Sequence, residues 1–473
     1  MRPLGTAARC LLLLAATAAP ALAGSLPPAL AGVLEDNDVP ARDVSVYVQE
    51  VGATGPALAH REDEPRNPAS VIKLLTTLAA LDVLGPAYTW RTEAYATGPI
   101  VEGVLQGDLV LKGYGDPYLT PEAFWHFVYA LRARGLRAID GDVVVDNSFF
   151  DVDPLDRGAF DGRPFRAYNA LPAALSLNFQ ATRLYIVPDA GAGKVRVFSD
   201  PPLANLAIDN DMRLDRVPCR KVHRSPLVHV QEEAAGATVK VRGRYATDCP
   251  EASMDHLMLA PAEHVGGAFA AMWSTFGGTL AGGVRSGALP EGAHLLHDLE
   301  SRPLADAIRG MNKFSNNLMT RHLLLTLGAR VHGAPATLEK GREAVAGWLR
   351  ERGLLLPELV VDNGAGLSRE ARSSAAGLAR LLLFGWGQAY MPELVSSLAV
   401  VGVDGTMRRR LQNTPLAGRA HLKTGSLDDV SGLAGYVLDR AGRRWAVVLL
   451  VNHRGLTYWQ GRTIQDALLE WVY

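Results

Sequence analysis

Residues 67–73 read Asn-Pro-Ala-Ser-Val-Ile-Lys, and an apolar pattern of helical period continues from Val71 to Leu84. The spacing puts Ser70 and Lys73 at positions i and i+3, which share one face of a helix. A neutral lysine amine there can take the proton of the serine hydroxyl. The start of a helix also favours developing negative charge. The pattern predicts a helix that begins at a candidate nucleophile; a capping serine beside a solvated lysine is the alternative.

A second motif, Lys423-Thr424-Gly425-Ser426, stands shortly before the carboxyl-terminal hairpin pattern, and this position predicts a strand. A lysine and a threonine on the edge of a strand can bind a carboxylate. Gly425, which follows the threonine, allows another stretch of backbone to approach closely. An ordinary strand end is the alternative interpretation.

A third motif, Ser315-Asn316-Asn317, lies inside or at a turn of a helical stretch. A hydroxyl and an amide two residues apart can serve as a proton shuttle and as an anchor for a peptide amide. Ser176-Leu177-Asn178 fits the same Ser-x-Asn pattern. We reject this second match because its neighbours have the pattern of strands and it lies in the β-rich middle of the chain.

The remaining sequence divides into three regions by its pattern. Residues 43–51 alternate between apolar and polar side chains and predict a strand. From about residue 90 to 290, short alternating segments predict β-rich material with one helix at about 121–134. After residue 300 we predict, in order, helices at about 303–327, 336–353 and 372–388, hairpin strands at 432–438 and 445–451, and a last helix at 459–471. Both ends of the chain would therefore build one α/β domain, with other domains inserted between them.

The composition excludes some classes of function. The chain has 473 residues and a formal net charge of −1, with 48% hydrophobic and 21% charged residues. These values are typical of a globular protein, and the length favours two or three domains. Because the charge is balanced, no basic surface for nucleic acid is expected.

The amino-terminal residues have the features of an export signal. Arg2 and Arg9 flank a short amino-terminal region, and residues 11–19 form an apolar run. Ala21-Leu22-Ala23 is a small-x-small cleavage site. The run is too short to span a bilayer. We expect a secretory signal peptide over residues 1–23, no transmembrane segment in the mature chain, and a location in the periplasm rather than on the outer cell surface. A membrane anchor is the alternative.

Two cysteines remain after removal of this segment. Cys10 leaves with the signal peptide, while Cys219 and Cys249 stay in the mature chain. Two cysteines in an exported protein fit one disulfide.

The three motifs occur in the order Ser-x-x-Lys, Ser-x-Asn, Lys-Thr-Gly, and this order resembles the penicillin-recognising serine enzymes. From Lys73 to Ser315 there are 242 positions, far more than in a compact class A β-lactamase. An insertion of this length resembles the D-alanyl-D-alanine carboxypeptidase/endopeptidase family, the low-molecular-mass class C penicillin-binding proteins. Four further segments carry the resemblance: residues 113–117, 174–178, 362–369 and 403–407. Asn363 departs from it, because a glycine is expected there.

The resemblance implies an α/β (α+β) fold. It comprises a penicillin-binding, serine transpeptidase-like and β-lactamase-like domain that carries two nested β-rich inserted domains. The expected division is a signal peptide at 1–23, a catalytic domain at 24–92 and 290–473, a first inserted domain at 93–165 and 262–289, and a second, nested inserted domain at 166–261.

The resemblance also implies catalytic roles by position. Ser70 is acylated by the penultimate D-alanine of the substrate, and Lys73 is its base. Ser315 relays the proton toward the leaving D-alanine, while Lys423 tunes the electric field of the site. Water then hydrolyses the acyl-enzyme.

Substrate-binding roles follow in the same way. Asn317 would hold the peptide amide, and Lys423 and Thr424 would bind the terminal carboxylate beside Gly425. The oxyanion hole would use the backbone N–H groups of Ser70 and Ser426.

The family also has an aspartate in the inserted region that is thought to meet the amine of diaminopimelate. Asp161 is the candidate for this position. Asp151, Asp153 and Asp156 compete with it, and a solvated loop is the plainer interpretation of any one of them.

These implications define an expected function. The chain would be a serine D,D-peptidase that cleaves D-Ala-D-Ala termini, D-Ala–diaminopimelate cross-links of peptidoglycan, or both, without a cofactor or a metal. Its partners would be stem peptides and, as covalent inhibitors, β-lactam antibiotics. The alternatives are a β-lactamase, a non-catalytic penicillin-binding or wall-binding protein, and a zinc peptidase, although no His-Glu-x-x-His motif occurs among the twelve histidines. Sequence leaves the oligomeric state open.

Overall fold

The computed structural model describes residues 22–23, 25–152, 156–221, 226–234 and 236–473. The expected signal peptide lies outside the described residues except for its last two positions, Leu22 and Ala23. These two form a short strand that pairs in parallel with Leu58 and Ala59. Asp153 also lies outside the described residues. Within the described part, no helix has the length and apolar character needed to cross a membrane.

The described chain contains strands in its middle region, a run of helices from α5 to α9, and both types at its two ends. The α-helices are α1 Pro28–Asp36, α2 Lys73–Leu84, α3 Pro121–Ala133, α4 Pro261–Thr275, α5 Leu304–Phe314, α6 Asn317–His332, α7 Leu338–Glu351, α8 Ala375–Trp386, α9 Met391–Ser397 and α10 Tyr458–Val472. The strands are β1 Leu22–Ala23, β2 Val44–Glu50, β3 Leu58–His60, β4 Arg91–Ala96, β5 Ile100–Val101, β6 Val104–Leu105, β7 Leu109–Gly113, β8 Ala138–Ile139, β9 Val143–Asp146, β10 Thr182–Asp189, β11 Lys194–Asp200, β12 Leu206–Asp215, β13 Leu227–Glu233, β14 Gly236–Ala246, β15 Ala252–His256, β16 Thr279–Leu280, β17 Val284–Ser286, β18 His294–Glu300, β19 Ala399–Val400, β20 Ala420–Leu427, β21 Val430–Leu438 and β22 Arg444–Asn452. Short 3₁₀ helices cover Ala41–Asp43, Ala69–Ile72, Ala167–Asn169, Asn178–Gln180, Cys219–Lys221 and Gly405–Met407.

A seven-stranded sheet joins the two ends of the chain. Its order is β1-β3-β2-β22-β21-β20-β19, so the amino-terminal strand β2 lies directly beside the last strand, β22. Side chains of β22 alternate between the two faces. Val447, Leu449 and Val451 pack in the cluster that holds α1 and α10, whereas Val448 and Leu450 pack in the cluster that holds α2, α5, α6 and α8. The α/β organisation built from both ends, as predicted, is confirmed.

The β-rich middle forms four further sheets among the described residues. Their orders are β17-β9-β7-β4-β18, β16-β8-β6-β5, β11-β10-β15 and β12-β14-β13. The chain leaves the seven-stranded sheet through β4 and returns through β18, which pairs antiparallel with β4 from Arg91–Glu300 to Ala96–His294. The expected border at residue 290 lies just before β18. The domain limits stay a prediction.

The helices differ from the predictions at Ser315 and at α1, α4 and α9, and α1 and α9 were not predicted. The helix expected at about 303–327 is two helices, because Ser315 adopts left-handed backbone angles (φ 59°) and the Asn316 side chain caps α6 by accepting from the Met319 N–H at 3.0 Å. Helix α4 was not predicted. It is rich in small residues, and a Cβ on Gly266 would lie 2.1 Å from Val284, so close packing rather than a broad apolar stripe defines its buried face.

Cys219 and Cys249 form a disulfide with a Cα–Cα distance of 4.9 Å, which confirms the predicted pair. Both cysteines are buried. The bond ties the 3₁₀ turn that follows β12 to the segment that follows β14.

Candidate active site

The candidate nucleophile lies on a tight turn before a buried helix. The helix predicted after Ser70 begins as the 3₁₀ turn Ala69–Ile72 and continues as α2. Ala69 has a φ of +45°, which is unfavourable for a residue with a side chain. The Asn67 side chain supports this backbone, because its Oδ1 accepts from the Ala69 N–H at 2.9 Å. Ser70 is thereby held half-buried at the start of the helix.

Lys73 is fully buried, and its Nζ lies 2.8 Å from Ser70 Oγ. The same amine donates to Asn317 Oδ1 at 2.8 Å and to the carbonyl of Ala365. Burial lowers the pKa of Lys73 well below its usual value, and the nearby positive charges of Lys423 and Arg321 lower it further. An unprotonated amine in contact with a serine hydroxyl can act as a base.

A loop of unusual conformation delivers the Ala365 carbonyl. Asn363 Oδ1 accepts from the Ala365 N–H at 3.0 Å, and its Nδ2 donates to the Leu367 carbonyl at 2.9 Å. Gly366 has a φ of +76°, and a Cβ there would lie 1.9 Å from the Ala69 carbonyl oxygen. Asn363, the departure from the family pattern, therefore closes this loop with its own side chain.

The Ser-x-Asn motif forms the break between α5 and α6. Ser315 Oγ accepts a hydrogen bond from Lys423 Nζ at 2.8 Å. Asn317 is the first residue of α6. Its Oδ1 accepts from Lys73 Nζ, and its Nδ2 donates to the Tyr168 carbonyl at 3.0 Å. The left-handed conformation of Ser315 thus lets the motif reach two lysines: Ser315 contacts Lys423, and Asn317 contacts Lys73.

Lys423 is fully buried on β20. Its Nζ also donates to the Thr424 carbonyl at 2.7 Å, and Thr424 Oγ1 donates to Thr406 Oγ1 at 2.8 Å. Burial lowers the pKa of Lys423 to about 7. The predicted strand is present, and on it Lys423 contacts Ser315, which the sequence did not predict.

At Gly425, strand β20 contacts the 3₁₀ turn Ala69–Ile72, which contains Ser70. A Cβ on Gly425 would lie 2.8 Å from the Pro68 carbonyl oxygen and 2.9 Å from the Ser70 nitrogen, so only glycine fits without displacement. Strand β19 pairs with β20 only at Leu422 and His421. The edge of β20 from Lys423 to the exposed Ser426 therefore borders the Ser70 turn and is open to an extended peptide.

Asp161 connects to the motif residues through Tyr168. Its Oδ2 accepts from the Tyr168 hydroxyl at 2.6 Å, and its Oδ1 accepts from Asn169 Nδ2 at 2.9 Å. Partial burial raises the pKa of Asp161, but these hydrogen bonds outweigh it and the pKa is lowered overall. Of the described competitors, Asp151 is exposed, and Asp156 accepts from the Gly158 N–H at 2.7 Å.

The rejected motif has a different local structure from the one predicted. Ser176 lies in a loop before the 3₁₀ turn Asn178–Gln180, and the strand pattern expected around it was wrong. Its Oγ donates to the Ala173 carbonyl at 3.1 Å and accepts from Gln180 Nε2 at 3.0 Å. These contacts hold the loop together and include none of the other motif residues.

Sequence reasoning missed three contributors to the site. The Ala365 carbonyl leaves no trace in side-chain chemistry, and Arg321 looked like any other basic residue on a helix. Tyr168 contributes its backbone carbonyl to Asn317. In the part of the chain that the structure covers, no group of three or more His, Cys, Asp or Glu side chains is arranged to hold a metal ion.

The fold and these motifs define a class of protein. A mixed sheet with helices on both faces, Ser-x-x-Lys at the start of a buried helix, Ser-x-Asn at a helix break and Lys-Thr-Gly on the facing strand together define the β-lactamase-like, penicillin-recognising fold. Residues 26–473 match the D-Ala-D-Ala carboxypeptidase 3 (S13) family, and the chain belongs to this family. The family prediction is confirmed.

Individual relatives agree with this assignment. The D-alanyl-D-alanine carboxypeptidase of Actinomadura sp. (strain R39) is 29% identical over 474 residues, which cover 95% of this chain and 86% of the relative. The crystal structure of penicillin binding protein 4 (dacB) from Haemophilus influenzae gives a TM-score of 0.76 at 22% identity and covers 94% of this chain and 99% of that chain. The same Haemophilus protein complexed with a novel β-lactam gives a TM-score of 0.73 at 21% identity over the same shares.

Proposed function

We propose that this protein is a serine D,D-peptidase that cleaves D-Ala-D-Ala termini, D-Ala–diaminopimelate cross-links of peptidoglycan, or both, through an acyl-enzyme on Ser70. The observation that carries the proposal is the contact of Ser70 Oγ with the buried amine of Lys73 at 2.8 Å. Burial lowers the pKa of that amine and so favours the neutral form, which can accept a proton.

Acylation begins when Lys73 takes the hydroxyl proton of Ser70 and Oγ attacks the carbonyl carbon of the penultimate D-alanine. The negative charge that develops on the carbonyl oxygen is stabilised by the backbone N–H groups of Ser70 and Ser426. Gly425 supports this role, because it allows β20 to lie against the Ser70 backbone.

Bond cleavage requires a proton on the leaving nitrogen. Ser315 Oγ, held by Lys423 at 2.8 Å, gives its proton to the nitrogen of the departing D-alanine. Ser315 is then reprotonated by the proton that Lys73 took from Ser70, which returns the Lys73 amine to its neutral form. Water then attacks the ester, Lys73 takes the water's proton, and the Ser70 hydroxyl is restored. A β-lactam follows the first step, but its leaving amine stays tethered in the opened ring.

Binding of the substrate divides between two walls of the site. Lys423 and Thr424 bind the terminal carboxylate. Asn317 holds the peptide amide with the hydrogen-bonding capacity that its contacts with Lys73 and Tyr168 leave unused. Asp161 meets the amine of the third stem residue. Its link through Tyr168 to the Asn317 contact supports this placement.

The cellular setting belongs to the same proposal. Residues 1–23 have the features of a secretory signal, and the Cys219–Cys249 disulfide fits an oxidising compartment. We place the enzyme in the periplasm, with peptidoglycan stem peptides as substrate.

The test compares wild type with Ser70→Ala, using fluorescent penicillin and mass spectrometry of muropeptides. We expect Ser70→Ala to lose both covalent labelling and release of D-alanine. Ser396→Ala is the matched control, because Ser396 is exposed and its hydroxyl donates to the Glu393 carbonyl of its own helix. This variant should retain both activities.

Three outcomes would reject the proposal or part of it. Labelling that survives in Ser70→Ala would remove Ser70 as the nucleophile. Fast release of the penicilloyl group by wild type would favour a β-lactamase. Activity that survives Ser70→Ala but is lost to a chelator would favour a metal peptidase.

A further inference from the structure

Helix α3 carries two aromatic side chains on the face that it does not bury. Its buried residues are Phe124, Phe127, Val128 and Leu131. Trp125 and Tyr129, four positions apart, share the other side and leave 40% and 50% of their surface exposed. Their rings are nearly parallel, at 9°, with centroids 5.5 Å apart. Single apolar side chains on a surface are ordinary, whereas paired rings form a contiguous patch that the core of the fold does not use.

A third ring holds this pair in place. Phe276, directly after α4, lies edge-on to Trp125 at 4.9 Å and to Tyr129 at 5.6 Å between ring centroids. The Arg132 Nε donates to the Phe276 carbonyl at 3.1 Å, and the same guanidinium lies over the buried Trp273 ring, 5.3 Å from its centroid. Exposed rings that are already held in position lose little freedom when a ligand covers them.

A cleft of about 420 Å³ opens beside Trp125. This volume is in the range of sites for small ligands. The walls come from α3, α4 and the chain at the end of β11, and the polar side chains that line the cleft are Glu122, His126, Asp200 and Thr275. All four are exposed. Among the residues that the structure describes, no lysine or arginine lines this cleft.

The lining favours an uncharged ligand that carries hydroxyl groups. The flat face of an aromatic ring matches the apolar C–H face of a pyranose ring. Carboxylates such as Glu122 and Asp200 accept hydrogen bonds from the hydroxyl groups at the rim of such a ring. Two carboxylates without a lysine or arginine disfavour phosphates, anionic lipids and acidic peptides. A neutral sugar fits this combination of groups.

The loop that leads into α3 contacts the catalytic part of the chain. Tyr118 lies three positions before the first residue of α3, and a Cβ on Gly310 of α5 would lie 3.4 Å from its ring. Helix α5 ends at Ser315, the first residue of the Ser-x-Asn motif. A ligand held on α3 is therefore attached to a segment that packs against the helix leading to the motif.

We propose that the cleft beside Trp125 binds the N-acetylated amino sugars of a peptidoglycan glycan strand, and so holds the polymer whose stem peptides enter the site of Ser70. The inference rests on the proposed function, because that function makes peptidoglycan the substrate. Trp125 provides the stacking face, and Tyr129 extends it. Glu122 and Asp200 accept hydrogen bonds from the sugar.

The first test measures binding of tetra-N-acetylchitotetraose, an uncharged oligomer of N-acetylglucosamine, by isothermal titration calorimetry. We expect wild type to bind it and Trp125→Ala to bind it at least about tenfold more weakly, because the stacking face is lost. Asp200→Asn, which keeps the shape but weakens the acceptor, should bind about three- to tenfold more weakly. Trp459→Ala is the matched control, because Trp459 is also an exposed tryptophan but lies on α10. It should bind as wild type does.

The second test compares release of D-alanine from free pentapeptide and from pentapeptide that is still attached to glycan strands. In Trp125→Ala we expect kcat/KM for the attached peptide to fall about three- to tenfold, with no change for the free peptide. Acylation of Ser70 by fluorescent penicillin should equal that of wild type. Thermal unfolding reports whether the fold is intact. If Trp125→Ala does not fold, Trp125→Leu removes the flat ring, keeps an apolar side chain and should show the same losses.

Absence of binding by wild type would overturn the inference, and so would equal binding by wild type and a folded Trp125 variant. Binding to phosphatidylglycerol vesicles that depends on Trp125, without binding to the sugar, would show that the patch meets a membrane and would also overturn it. The calorimetric measurement needs no catalysis. Failure of wild type to be acylated or to release D-alanine would instead reject the proposed function, so the two failures are distinguishable.

Discussion

At the scale of single residues, the site consists of two serine–lysine contacts. Lys73 lies 2.8 Å from Ser70 Oγ, and Lys423 lies 2.8 Å from Ser315 Oγ. Both lysines are fully buried, and burial lowers the pKa of each. In the proposed mechanism the two lysines have opposite tasks: Lys73 must be neutral to receive a proton, and Lys423 must be charged to hold a carboxylate.

A pH prediction follows for Lys423. Its pKa of about 7 means that its charge is present at lower pH and is lost as the pH rises through that value. We expect kcat/KM for release of D-alanine to fall above about pH 7, because the terminal carboxylate binds the charged form. In Lys423→Arg the charge persists, so the alkaline limb should move to higher pH even if the maximal rate is lower.

A peptide whose terminal carboxylate is amidated is the matched control for this measurement. It offers no negative charge to Lys423, so its weaker hydrolysis should lack the limb near pH 7. An alkaline limb that is unchanged in Lys423→Arg would contradict the assignment of that limb to Lys423.

Residue types in the site were predictable from sequence, but their supports were not. The spacing of Ser70 and Lys73 on one helical face and the order of the three motifs were sufficient to select the candidate residues. The Ala365 carbonyl, the positive φ of Ala69 and the charge of Arg321 depend on tertiary contacts between distant segments. Backbone groups carry no sequence signature, and an arginine on a helix is usually solvated.

At the scale of elements, the decisive contact is strand β20 against the 3₁₀ turn Ala69–Ile72. The neighbouring strands β19 and β21 are joined to β20 by backbone hydrogen bonds. The 3₁₀ turn instead packs its backbone directly against the backbone of β20 at Gly425. Gly425 sets that distance. The positions of Ser426 and Ser70 relative to each other therefore depend on the absence of one Cβ.

Gly425→Ala should separate these two elements. The added Cβ would start 2.8 Å from the Pro68 oxygen and 2.9 Å from the Ser70 nitrogen, so the strand or the turn must shift. We expect the rate of penicillin acylation to fall by about 10²-fold, on the order of the loss of one oxyanion donor. Stopped-flow measurement of labelling would check this value.

Gly55→Ala is the control for a glycine substitution, because a Cβ at Gly55 meets nothing within 4 Å. Its acylation rate should equal that of wild type. A Gly425→Ala variant with normal acylation would show that the close approach of β20 is not needed for the chemistry.

Most elements were predictable, and two of the exceptions have a physical explanation. The strand at 43–51, the helix after Ser70, the final hairpin and the last helix have strong periodic patterns, and the structure contains them. The break at Ser315 and helix α4 lack such patterns. Ser315 is held in a left-handed conformation by the meeting of α5, α6 and β20, and the glycines of α4 are there for close packing.

At the scale of the whole molecule, the inserted region begins after α2 and ends before α5, and its two ends lie side by side. Arg91 and Glu300, at the two ends of the insertion, are paired across β4 and β18. The insertion nevertheless contributes to the site, because the carbonyls of Tyr168 and Ala170 accept from Asn317 and Arg321. We propose that the insertion both supports α6 and selects the peptide.

The disulfide provides a test of how independent this region is. In a Cys219→Ser, Cys249→Ser double variant, we expect the free energy of unfolding to fall by about 2–4 kcal/mol, because the unfolded chain loses a closed loop. Since the bond lies in the insertion and contacts none of the motif residues, acylation of Ser70 at room temperature should be close to wild type. Calorimetry and penicillin labelling measure the two quantities.

A reductant should lower the melting temperature of wild type and leave the double variant unchanged. Loss of acylation without a change in melting temperature would contradict this prediction, because it would couple the disulfide directly to the site.

The pairing of β2 with β22 has a consequence for biosynthesis. The ribosome makes Ser70 and Lys73 early, but Lys423 follows 350 positions after Lys73, and the strand that covers the edge of β2 is the last strand of the chain. A nascent polypeptide therefore carries Ser70 and Lys73 before the strands that bury Lys73 have been made. If the proposed function holds, a nascent chain has no working site until β22 has been made and has paired with β2.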